Sequence, residues 1–123
     1  MALFDTDILI DHLRGKEEAK TVLLNFVLQD NYYSVITLGE ILFGMRENEK
    51  IKTFHLMDSM TEIKVDKEIV LLSYDVKQKS KGYSIELYDC IIAATAIFYD
   101  LVLVTKNHKH YPDKRIKLYV PEY

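Results

Sequence analysis

A chain of 123 residues is long enough for one compact domain, residues 1–123, and too short for two. With 49% apolar and 28% charged residues it is too apolar for a disordered tail, and its one cysteine, Cys90, excludes an internal disulfide and a Cys-based zinc site. The formal charge of −3 argues against a protein that coats nucleic acid non-specifically.

In chain order, Ala2–Phe4 is a short apolar run, and Asp7–Leu13 has helical spacing with Gly15 as its stop. Asp5, Asp7 and Asp11 stand where a secretory signal would carry a basic flank and an apolar stretch, so a cytoplasmic protein is expected. A second helix is expected over Glu17–Leu28, with Ala19, Leu23, Phe26 and Val27 on one face. Tyr32–Ile36, aromatic and β-branched, reads as a strand. Thr37–Glu49 follows as a helix, with Leu38, Ile41, Leu42 and Met45 spaced as a buried stripe.

Glu62–Val65 reads as a weak strand, Lys67–Gly82 as a helix stopped by Gly82, and Ile85–Tyr99 as another helix. Cys90–Val104, the longest nearly apolar stretch, is broken by Asp100 and is shorter than the roughly 18–20 residues of a membrane helix. Its end, Leu101–Val104, reads as a strand buried on both faces, and Lys117–Val120 as a final edge strand. Strands separated by helices predict an α/β fold, a three-layer α/β/α sandwich with a mainly parallel central sheet, because parallel neighbours need long crossovers. Such sheets bind ligands outside the carboxyl ends of their strands.

At those ends the chain is acidic. Asp5 follows the first strand, Glu40 lies just beyond the second, and Asp89 opens the helix that feeds the buried strand. Each has an ordinary use: Asp5 or Thr6 as a helix cap, Thr37–Glu40 as a capping box, Asp89 as an acid favoured by the helix dipole, Asn107 as a turn residue. Three carboxylates converging on one sheet edge repel one another, however, and hard oxygen donors without His or Cys spacing suit Mg²⁺ or Mn²⁺. An ion held that way activates water against a phosphodiester.

Leu3–Asp11, Val35–Gly44, Asp89–Ala96 and Leu103–Asn107 resemble, in order and spacing, the motifs of PIN-domain proteins of the VapC toxin type, and the likeness spans residues 2–111. That resemblance implies a metal-dependent endoribonuclease, cutting single-stranded RNA or RNA loops such as those of tRNA, as the toxin of a type II toxin–antitoxin pair. It also implies a homodimer and a small antitoxin partner whose tail enters the active-site groove. By the same resemblance Asp5, Glu40 and Asp89 match the metal-binding acids, with Mg²⁺ or Mn²⁺ as cofactor. Asn107 stands where the pattern has a fourth acid, with His110 three places on. Asp7 is then an auxiliary ligand and Thr105 orients the shell through its hydroxyl.

The charge distribution adds candidate RNA contacts. Residues 1–100 hold 11 Lys/Arg and 17 Asp/Glu, net −6, and residues 101–123 hold 5 and 2, net +3. Lys106, His108, Lys109, His110, Lys114, Arg115 and Lys117 lie in that basic tail, where they are expected to meet phosphates or simply form a solvated edge. Most of the nine tyrosines are expected in the core or a dimer face, and Cys90 as a small buried apolar residue. Two rival readings stand beside the nuclease. One is a phosphatase of the haloacid-dehalogenase type, from the Asp5-Thr6-Asp7 pair, for which Thr105–Asn107 is a poor match to the later lysine and acids. The other is a catalytically degenerate PIN fold that binds RNA or a partner as a regulatory protein.

Overall fold

The computed structural model describes residues 1–26 and 30–123. Five strands, β1 (Ala2–Phe4), β2 (Asn31–Ser34), β3 (Thr61–Ile63), β4 (Val102–Val104) and β5 (Lys117–Tyr119), form one sheet in the order β3-β2-β1-β4-β5. Every pairing is parallel, with Ala2 opposite both Asn31 and Val102. Among the described residues six α-helices supply the crossovers: α1 (Thr6–Leu13) and α2 (Glu17–Leu24), α3 (Val35–Gly44) and α4 (Lys50–Asp58), then α5 (Lys67–Gln78) and α6 (Leu87–Phe98). The chain moves outward from β1 to β2 and β3, then returns to place β4 on the other side of β1. The carboxyl ends of β1 and β4 therefore flank the point where strand order reverses, the place where open parallel sheets form a crevice.

Alternation along the strands builds two cores. Ala2, Phe4, Tyr33 and Val104 point to one face and join Ile8, Leu9 and Leu13 of α1, Val22 and Leu23 of α2, Ile41 of α3 and Met57 of α4. Leu3 and Leu103 point to the other and join Val76 of α5 and Cys90, Ile92, Ala93 and Ala96 of α6. All three side chains of β1 are completely buried, as expected of a central strand covered by helices on both faces. Its polar limits are equally sharp, because Asp5 caps α1 immediately after Phe4. The sheet thus forms the middle of the expected three layers.

The expected strand Tyr32–Ile36 is cut short. Ser34 accepts a hydrogen bond from the Ile36 amide at 3.2 Å and starts α3, so the β-branched pair Val35-Ile36 forms the first helical turn. The anticipated capping box at Thr37–Glu40 is therefore absent, and Glu40 lies inside the helix. The expected helix Thr37–Glu49 ends at Gly44, and a 3₁₀ turn, Glu47–Glu49, leads into α4, which sequence reasoning missed. Of the predicted stripe, Ile41 is buried and Leu38 and Met45 are half-buried, while Leu42 is exposed. Helix α5 stops at Gln78, ahead of Gly82, which takes φ +89° in the following loop. Helix α6 starts at Leu87 rather than Ile85. Val27 and Leu28, the end of the expected second helix, lie outside the described residues. No helix among the described residues is long and apolar enough to cross a membrane.

Candidate metal and phosphodiester site

The cleft at the reversal point is built by three parts of the chain. Asp5 stands between β1 and α1, where its backbone amide continues the ladder by donating to the Val104 carbonyl at 3.0 Å. Glu40 comes from the inner turns of α3, and Asp89 from the first turn of α6. These three share a cavity of about 370 Å³ with Asp7, Glu86, Asn107 and His110, and with Thr6, Ser84 and Tyr88. Five carboxylates thus face one opening, with His110 the lining side chain able to carry positive charge.

Each acid is held differently. Asp5, 6% exposed, accepts the Thr6 amide on Oδ1 at 2.7 Å, and on Oδ2 the Thr105 hydroxyl at 2.8 Å and the Tyr111 hydroxyl at 2.9 Å. Thr105 in turn accepts the Asn107 amide at 3.0 Å. Glu40 Oε1 accepts the Thr6 hydroxyl at 2.6 Å. Since Thr6 has one hydroxyl proton, Thr37, whose Oγ1 lies 3.1 Å from that of Thr6, supplies its own proton to Thr6. Asp89 Oδ2 accepts the Glu86 amide at 3.3 Å and lies 3.5 Å from His110 Nδ1. Its use at the helix start and its place in the cleft coexist. Asp7 accepts the Ile8 amide on Oδ1 at 2.8 Å and the Lys106 amide on Oδ2 at 2.9 Å.

Electrostatically the cleft resists its own charge. Burial holds the Asp5 carboxyl above the usual carboxylate range, and Asp89 adds to the shift, while the donors from Thr105, Tyr111 and Thr6 oppose it. Asp7 is pushed up to about 6 by burial and by the neighbouring charge of Asp5. Burial also raises Glu40, reinforced by Asp5, Asp89 and Glu86. An all-oxygen donor set in which Asp5, Asp7 and Glu40 are raised by burial and by acidic neighbours fits a hard divalent cation. Among the described residues no three His, Cys, Asp or Glu side chains lie close enough to grip an ion as they stand, so the acids line an open mouth rather than a closed cage.

Of the sequence candidates, Asp5, Asp7, Glu40, Asp89, Asn107 and His110 line the cleft, and Thr105 lies beneath it, bonded to Asp5. The basic tail behaves otherwise. Lys106 turns its ammonium to Asp11 at 2.9 Å instead of toward the cleft. Arg115 pairs with Asp113 at 2.7 Å and Asp75 at 3.0 Å, and Lys117 with Asp100 at 2.8 Å. His108, Lys109 and Lys114 are exposed, the first two on the 3₁₀ turn that ends at His110. Sequence reasoning missed Glu86, Tyr88 and Tyr111. Glu86 carries a readable signal, an acid one helical turn before Asp89, whereas the contact of Tyr111 with Asp5 spans 106 residues and leaves no local mark. Cys90 is buried as expected, with its thiol raised first by burial.

The PIN domain family model matches residues 2–113. Ribonuclease VapC10 of Mycobacterium tuberculosis is 34% identical over 116 residues, covering 91% of this chain and 86% of the relative. Ribonuclease VapC19 of the same organism is 31% identical over 116 residues, covering 91% and 93%. Among solved structures, a toxin–antitoxin complex from Klebsiella pneumoniae contains a chain with a TM-score of 0.86 and 31% identity, covering 99% of this chain and 98% of that one.

Proposed function

The chain belongs to the PIN-domain family, and from that premise we propose that it is a divalent-metal-dependent endoribonuclease of the VapC toxin type. The observation that carries the reading is the meeting of Asp5, Glu40 and Asp89, from three separate parts of the chain, in one acidic cleft at the carboxyl ends of β1 and β4. The likeness to two ribonucleases and to a chain of a toxin–antitoxin complex supports it. The proposed substrate is single-stranded RNA or an RNA loop, tRNA included. The proposed partners are a cognate antitoxin protein and a second copy of the chain, and the proposed place of action is the cytoplasm.

Asp5, Glu40 and Asp89 would hold Mg²⁺ or Mn²⁺, with Asp7 and Asn107 as auxiliary groups. A cation bound there supplies a more acidic water and offsets charge building on the phosphodiester. The protein's own residues prepare the ground. Thr105, Tyr111 and the Thr6 amide hold the Asp5 carboxylate, and the Thr37–Thr6 relay aims Glu40. His110 stands beside Asp89, where its imidazole meets an incoming phosphate at the rim. Five carboxylates facing one opening repel a phosphate, and a cation held among them would offset that repulsion.

The test is cleavage of a defined single-stranded RNA and of total tRNA by the purified chain in Mn²⁺ or Mg²⁺, repeated in EDTA and with Asp89→Asn. Cutting is expected to require both the metal and Asp89. The variant is expected to remain folded, because removing one carboxylate relieves repulsion in the cleft. Full activity in Asp89→Asn overturns the site. A folded, metal-bound wild-type chain that grips RNA without cutting it replaces the nuclease by a degenerate binding module, for which the amide at Asn107 would be the first suspect.

A further inference from the structure

Tyr111 is 2% exposed, and its hydroxyl lies against the same oxygen of Asp5 that Thr105 holds. A carboxylate has about four lone-pair positions, two on each oxygen. Both positions of Oδ2 are taken, by Thr105 at 2.8 Å and Tyr111 at 2.9 Å, and one position of Oδ1 is taken by the Thr6 amide at 2.7 Å. That leaves one lone pair, on Oδ1.

A buried phenol that only had to satisfy its hydroxyl would do so on any carbonyl. Here it adds a second donor to one edge of a buried acid at the floor of the cleft. Its carrier is fixed as well, since the Tyr111 amide donates to the His108 carbonyl at 3.0 Å and closes the 3₁₀ turn that brings His110 to Asp89.

We propose that Tyr111 is a positioning residue which, with Thr105, pins Oδ2 of Asp5 inward so that Asp5 meets a divalent cation through Oδ1 alone. The inference rests on the proposed reading of the cleft as a cation site. Groups that orient metal ligands in this way change metal affinity by about 10–100-fold when removed.

The experiment is calorimetric titration of Mn²⁺ into the wild-type chain, Tyr111→Phe and Asp5→Asn, alongside circular dichroism melts and RNA cleavage across a range of Mn²⁺ concentrations. Phenylalanine keeps the ring that fills the core and removes only the hydroxyl. Mn²⁺ affinity in Tyr111→Phe is expected to fall about tenfold. Cleavage is expected to recover as Mn²⁺ is raised to saturation, a rescue that a damaged fold would not show. Wild-type affinity in Tyr111→Phe overturns the assignment, and leaves the nuclease reading standing if the wild-type chain cuts RNA. A wild-type chain that binds Mn²⁺ without cutting RNA, with affinity lowered in Tyr111→Phe, supports the positioning role while removing the nuclease. Absence of Mn²⁺ binding by the wild type overturns both. Should the melts show Tyr111→Phe unfolded, Thr105→Val takes its place as the reporter of Oδ2, and unchanged affinity there overturns the pinning.

Discussion

Asp7 shows what the cleft costs the protein that carries it. Its carboxyl is raised from 3.8 to about 6, chiefly by burial and then by Asp5, so between these values the folded state binds protons that the unfolded state has released. Stability from this group is complete below pH 4 and is lost as pH rises through 6, a loss of about 2–3 kcal/mol for a shift of roughly two units. Asp5 and Glu40 are raised as well and act in the same sense. His12 acts in the opposite one, because burial lowers its proton affinity and favours the folded state at higher pH. Denaturant unfolding in EDTA at pH 4 to 8 separates these contributions by difference. The wild type is expected to lose about 2–3 kcal/mol relative to Asp7→Asn across that range. Parallel pH profiles for the two chains would show that Asp7 does not titrate as the cleft geometry requires. The absolute stability of Asp7→Asn is a separate matter, since its amide nitrogen must face either the Ile8 or the Lys106 N–H that the carboxylate now accepts.

At the scale of elements, two helices end in the same way with different residues. Helix α1 closes with Gly15 donating to the His12 carbonyl at 3.0 Å and Lys16 to that of Asp11 at 3.0 Å, around φ +86° at Gly15. Helix α6 repeats the pattern, Asp100 to Ile97 at 3.2 Å and Leu101 to Ala96 at 2.9 Å, around φ +54° at Asp100. Glycine adopts this conformation without a Cβ penalty, and the Asp100–Lys117 ion pair lost on substitution is exposed and worth little. Asp100→Gly is therefore expected to raise stability by about 0.5–1 kcal/mol and Asp100→Ala to lower it, measured by denaturant unfolding; equal values for the two would contradict the strain. The same pair shows how much of the fold is legible. Gly15 announces its helix end, while Asp100 does so only in three dimensions. The central strands β1 and β4 and the buried stretch from Cys90 are readable because their apolar residues fill whole faces, as the complete burial of Leu3, Phe4 and Leu103 bears out, whereas β3 and β5 are mostly exposed edge strands with no such face. Helix α4 is unreadable for the converse reason: only Thr53 and Met57 are buried in it, too few to write a periodic stripe. At β2 the β-branched Val35-Ile36 favour continuing the strand, and the single hydroxyl of Ser34 decides for the helix. Of the site, the acids at strand ends are visible in the sequence, whereas the donors that aim them are not, because Thr6, Thr105 and Tyr111 reach partners 34, 100 and 106 residues away.

Those long-range contacts make the molecule close on itself around α1. Asp11 Oδ2 accepts Lys106 Nζ at 2.9 Å and the Tyr123 hydroxyl at 2.9 Å, and the Lys106 ammonium sits 4.3 Å from the centre of the Tyr123 ring. Tyr123 also packs on the core formed by β1, α1 and α2. One turn earlier on the same helix, Asp7 takes the Lys106 backbone amide at 2.9 Å. Lys106 is therefore fixed at both its backbone and its side chain, and it lies between Thr105, which holds Asp5, and Asn107, which lines the cleft. This explains why a lysine that the sequence offers either as an RNA contact or as part of a solvated edge faces Asp11: its charge is used to seat the turn, and a cation–π contact adds to an ion pair whose partners are mostly shielded from water. If that arrangement steadies the floor of the cleft, damage to it at residue 123 should be felt at residue 106. Tyr123→Ala is expected to lower global stability by about 1–2 kcal/mol through lost aromatic burial. It is also expected to speed amide hydrogen exchange at Lys106 more than at the Val22 and Leu23 amides of α2, which are equally part of that core but have no bond to the turn. Exchange that rises uniformly at all three would mean that Tyr123 contributes only area to the core, and that the bonds to Asp5, Asp7 and Asp11 hold the turn carrying Thr105 and Asn107 without it.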